Sequence, residues 1–96
     1  MNMQRYEDTE SGLWAAARHC DMLQRFADAL EDCSGEEAVA HACRFMMESQ
    51  TEVARLAGIQ RSRMSEIKRK KKPTRQDKSA LIGAFCKRWI LRNGYA

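Results

Sequence analysis

The side chains best suited to recognition chemistry lie between Gln50 and Arg69, in the stretch QTEVARLAGIQRSRMSEIKR. Gln60, Arg61, Ser62, Arg63, Ser65, Glu66 and Arg69 fall on the open face of a short helix, and only Met64 and Ile67 turn inward. A guanidinium presents two parallel N–H donors that match O6 and N7 of guanine, an arrangement worth ~1–3 kcal/mol of discrimination. A side-chain amide does the same for adenine, and a carboxylate accepts from cytosine N4. By helical phase, Arg61, Ser62 and Ser65 are the expected base contacts. Gln60 serves either adenine or the helix start. Glu66 serves either cytosine or a surface pair with Arg63 or Lys70. Lys70, Lys71 and Lys72 close a run that begins at Lys68. As mobile point charges without a fixed fork they suit phosphates rather than bases. The plain alternative for the whole set is a solvated charged face.

What positions this face is the segment before it. Val53, Ala54 and Ala57 are the apolar positions of a first short helix, Gly58 ends it in the left-handed region, and Ile59 follows as an apolar plug. This frame resembles the helix-turn-helix of the phage lambda repressor and Cro family. That pattern opens on Gln, has a small residue at the fifth place and Gly at the ninth, and is apolar at places 4, 8, 10, 15 and 18. Here those are Gln50, Ala54, Gly58, Val53, Ala57, Ile59, Met64 and Ile67. The small fifth residue lets two helices cross closely. Ala57 departs from the family by being smaller than the usual Leu or Met. The resemblance spans about 20 residues and does not reach before Ser34. It implies a phosphate contact for Gln50, a recognition helix over residues 60–70 in the major groove, and transcriptional control through a palindromic operator bound by a homodimer.

Charge distribution agrees with this placement. Residues 1–49 carry four arginines against ten acids, a net of −6, and residues 50–96 carry thirteen cations against three acids, a net of +10. The basic half holds the motif, and the acidic half repels a phosphate backbone. The amino end is charged and lacks the apolar run of a signal peptide, and no segment approaches the ~18 apolar residues of a membrane span. The expected location is the cytoplasm, on the nucleoid, with no membrane partner.

With 96 residues, one proline and abundant Ala, Leu, Met and Arg, the expected class is all-α, about five helices, a lambda-repressor-like domain with an added N-terminal helix. Residues 1–33 form a helical arm for packing or dimerisation, and residues 34–96 the DNA-binding domain with its C-terminal helix. In the arm, Thr9 or Ser11 caps a helix to about Asp32 with Leu13, Trp14, Ala17, Cys20, Leu23, Ala27 and Leu30 inward, and Met22 and Phe26 widening the stripe. Ser34 caps the next helix ahead of Glu36 and Glu37, with Ala38, Val39, Ala42, Cys43, Phe45 and Met46 inward. Ser49 and Glu52 form a capping box for the helix at Gln50. Pro73 ends the recognition helix, and Thr74 caps a last helix over residues 75–92. Its inward residues are Ala80 or Leu81, Ile82, Phe85, Cys86, Trp89 and Ile90.

Cys20, Cys33, Cys43 and Cys86 are scattered. Apart from Cys33 each falls in the apolar stripe of its helix, so buried free thiols are expected rather than a metal site. A zinc site from Cys20, Cys33, His41 and Cys43 has poor spacing. Trp14, Phe26, Phe45, Phe85 and Trp89 have the spacing of a core, not of a base-stacking strip. No nucleophile, base and orienting acid stand together and no phosphate loop is present, so neither an enzyme nor a cofactor nor a small-molecule ligand is expected. Two other readings remain open: a protein-binding module, antitoxin- or inhibitor-like, working through the acidic half, and an architectural or recombination accessory protein that bends duplex.

Overall fold

Phe26 and Phe85, far apart in the chain, meet at the centre of the molecule with ring centroids 5.5 Å apart, and Phe45 leans on Phe26 at 5.2 Å. The computed structural model describes residues 10–93, with side chains from residue 16 onward, as five helices and no strand. These are α1 (Glu10–Ala29), α2 (Gly35–Met46), α3 (Gln50–Ala57), α4 (Arg61–Arg69) and α5 (Arg75–Asn93). α5 runs along α3 and also touches α1 and α2, while α4 lies on α2. The chain is all-α. One core crosses the Cys33–Ser34 junction: Phe26 and Leu30 from the first part pack with Val39, Met46, Val53, Met64, Ile67 and Leu81 from the rest.

Local chemistry explains the helix boundaries. Ser34 Oγ accepts from the Glu37 amide and Glu37 answers the Ser34 amide, a complete capping box. Hydrogen bonds to its carboxylate from the Ser34 amide and the Ser34 side chain hold the Glu37 carboxyl below the usual carboxylate range. Ser49 also caps its helix, accepting from the Glu52 amide. The box is only half made there, because the Glu52 carboxylate turns to Arg55 instead. α2 and α3 end alike, each on a left-handed residue: Met47 at φ 56° and Gly58 at φ 70°. In both, the following amide reaches back, Glu48 to Cys43 and Ile59 to Ala54.

The buried register differs from the sequence expectation in four places. α1 stops at Ala29, and turn residues 30–32 bring Leu30 and Cys33 back under the core. Cys33 is therefore the buried cysteine and Cys20 the exposed one, the reverse of the stripe reading, with Ala17 exposed beside it. Phe26 rather than Leu23 or Ala27 is the main anchor of α1, since the larger ring reaches the middle of α5. Leu56 is buried in α3, whereas Ala57 is only half-buried. In α5 the buried set is Leu81, Ala84 and Phe85, and Ile90 is exposed. The expected inward positions Leu13 and Trp14 lie outside the described side chains.

Candidate nucleic-acid interface

α4 is nine residues long and buries only Met64 and Ile67. Most of its other positions are open. Arg61, Ser62, Glu66, Lys68 and Arg69 are exposed, Ser65 is half-buried, and Gln60 is an exposed N-cap whose side chain makes no capping bond. The free Gln60 amide leaves its donors and acceptor for an outside partner. Gly58 sets the angle at which α4 leaves α3: its positive φ turns the chain, Ile59 packs half-buried behind it, and Ala54 lies buried at the elbow.

α3 and α4 enclose a surface hollow of about 230 Å³ lined by Gln50, Thr51, Arg61 and Ser65, with Ala54 and Met64 as its floor. A wider hollow continues past Gln50 and Ser65 to Lys68, Arg69 and Glu36. Gln50, at the first position of α3, accepts from Lys68 Nζ at 3.3 Å, which ties the start of α3 to the last turn of α4. Residues eighteen apart in sequence thus share one polar surface. Amides and hydroxyls at a helix start, beside guanidinium and ammonium groups, are suited to phosphate oxygens and base edges. The last turn of α4 and the two residues Lys71 and Lys72 extend this surface as exposed cations.

Arg63 and Lys70 are placed differently. Both turn toward Asp77, whose carboxylate is fully buried. Arg63 Nη2 and Lys70 Nζ each donate to it at 2.8 Å, and the Thr74 amide donates at 2.8 Å while Thr74 Oγ1 accepts from the Asp77 amide. Burial pushes this carboxyl up, but the bonds from Lys70, Arg63 and Thr74 outweigh it and hold the group well below the usual carboxylate range. Neither cation pairs with Glu66. Asp77 clasps α4 from both ends to the start of α5.

The chain was compared with family models, curated proteins and solved structures, and none matches. The site therefore rests on its own geometry. Eight of the sequence-expected residues (Gln50, Gln60, Arg61, Ser62, Ser65, Arg69, Lys71 and Lys72) lie open or half-open on or beside α4, and Glu66 is open among them. Sequence reasoning assigned no site role to two residues that the fold brings in: Thr51 lines the hollow and Asp77 anchors the helix. Lys68 was read only as the start of the phosphate-facing run, not as the partner of Gln50. The signal for Asp77 was present: Thr74 and Asp77 stand three apart, in the spacing of a capping box, and Asp77 is a lone acid after a run of cations. Among the described residues no three His, Cys, Asp or Glu side chains form a group that would hold a metal ion, and no helix is long and apolar enough to cross a membrane.

Proposed function

We propose that this protein is a sequence-specific double-stranded DNA-binding transcriptional regulator, a dimeric repressor of the lambda type that works in the cytoplasm on the nucleoid. The observation that carries the reading is α4: a helix with two buried side chains and an open face of Arg, Ser and Lys, set on a glycine elbow. A helix of these dimensions fits the major groove. Arg61, Ser62 and Ser65 read base edges, with Gln60 and Glu66 beside them. Gln50, Lys68, Arg69, Lys71 and Lys72 hold phosphates on either side. Arg63 and Lys70 fix the helix through Asp77 rather than spending their charge on the duplex.

One α4 helix spans a few base pairs, so a useful operator needs two copies, with half-sites about one turn, ~34 Å, apart. Selection of binding sites from a random duplex pool tests this. The expected result is a palindromic consensus with that spacing. Duplex binding with no sequence enrichment points instead to an architectural protein, and absence of salt-dependent duplex binding to a protein-binding module; either result removes the reading.

A further inference from the structure

α1 and α5 lie against each other and flank an open surface cavity of about 310 Å³ that shares no lining residue with the hollow around Arg61. Its apolar wall is Met22 and Phe85 with the ring of Trp89. His19 lies across both rings, its centroid 5.4 Å from Phe85 at 12° and 4.4 Å from Trp89 at 29°. The remaining lining is Arg18, Arg88, Arg92 and Asn93, with no acid among the described residues. Arg88 is already matched, because its Nε donates to Glu48 at 2.9 Å. Arg18 and Arg92 also line the cavity, and neither has an ion pair among the described residues.

His19 closes the wall between the two helices, with its Nδ1 shielded from solvent and without a hydrogen-bond partner among the described residues. Burial lowers the His19 pKa and so disfavours the charged form of the ring. Arg18 and Arg92 are both exposed at the rim of this half-apolar cavity, one on each helix, so an anion seated in it would gain from two cations at once.

We infer that this cavity binds a small organic anion, its carboxylate or phosphate held between Arg18 and Arg92 and its flat apolar body set against the Met22–Phe85 wall. The volume suits a ligand of about one or two fused rings. The site was not legible in the sequence because its two walls come from opposite ends of the chain. It does not depend on the DNA reading.

Isothermal titration of the full chain at pH 7 tests the inference, with 1-naphthoate, 1-naphthyl phosphate and the neutral 1-naphthamide as probes. At least one acid is expected to bind about tenfold or more tighter than the amide, and the tighter acid tells carboxylate from phosphate. Arg18→Gln with Arg92→Gln is expected to lose that preference, whereas Lys87→Gln, on the exposed side of α5, keeps it. Should the double variant fail to fold, each single variant is expected to weaken acid binding by about threefold or more. Equal binding of acid and amide, no binding of any probe, or acid binding indifferent to both arginines overturns the inference. So does a double variant whose only defect is weaker, salt-dependent binding to random duplex, which would make the arginines part of a DNA surface.

Discussion

The amide of Gly35 donates to the carbonyl of Lys70 at 2.8 Å, so α2 begins against the backbone where α4 ends. The two helix termini approach so closely that a Cβ on Gly35 would stand 1.8 Å from the Ile67 carbonyl oxygen and 2.8 Å from that of Lys70. Both obstacles are backbone and cannot rotate away. Gly35→Ala is therefore expected to destabilise the fold by about 3 kcal/mol, at the upper end of overpacking effects. Its urea midpoint should fall well below that of the parent, and an unchanged midpoint would show that the contact is looser than described.

Gly58 presents the opposite case. Its φ is +70°, yet nothing lies within 4 Å of the position a Cβ would take. The cost of Gly58→Ala is backbone strain alone, about 1 kcal/mol. Met47 holds the same conformation at the end of α2 without being glycine, and its side chain is 80% exposed. Met47→Gly relieves the strain and forfeits little packing, so it should stabilise by up to about 1 kcal/mol. Thermal melts of the two variants should move in opposite directions, and a shift of the same sign in both would contradict the argument.

These glycines also show what the sequence reveals and what it hides. Gly58 is legible because its role is local: it follows a short apolar helix and precedes a polar one. The same holds for Ser34 with Glu37 and for Thr74 as caps, since a side chain and an amide three residues on suffice to form them. Gly35 reads only as part of a break, because what it touches lies more than thirty residues away. The α4 face is legible for a related reason. Its residues share one short helix whose period sorts them, whereas Lys68 meets Gln50 only after α3 and α4 have crossed. Cys20 and Cys33 exchanged burial because periodicity assigns a face to a helix but does not say how far along the helix the core extends. In α3, Leu56 and Ala57 are adjacent, and eight residues are too few for the pattern to choose between them.

The clasp at Asp77 gives a pH dependence. Its folded carboxyl sits well below the unfolded value of ~3.9. A depressed carboxyl contributes stability that is present above the unfolded pKa and lost as pH falls below it. Asp77→Asn is expected to cost on the order of 2–3 kcal/mol at pH 7, less than a wholly enclosed pair, because Arg63 and Lys70 are about a third exposed and water screens them. The gap between parent and variant should narrow as pH is lowered from 5 to 2, because the unfolded parent chain takes up a proton there while the clasped carboxylate of the folded chain stays ionised. Urea unfolding across that range measures it, and a gap of constant size would mean that the carboxylate is not what holds α4.

Arg61 and Lys71 are both exposed cations, yet the proposed DNA reading gives them different work. Arg61 sits on the first turn of α4 and lines the hollow with Gln50 and Ser65, so it faces base edges when α4 lies in the major groove. Lys71 lies beyond the helix end, without a rigid element to aim it. Arg61→Ala should cost ~1–3 kcal/mol on the preferred site and relax preference at one base position. Lys71→Ala should weaken every duplex alike and reduce the slope of log affinity against log salt by about one. Neither change touches the core, so melting temperatures should stay with the parent, which separates a lost contact from a lost fold. Gel-shift titrations on the selected site and on single-base variants of it, each at two salt concentrations, distinguish the pair. If Arg61→Ala binds the selected site as the parent does, α4 is not the reading helix, however cationic its surface.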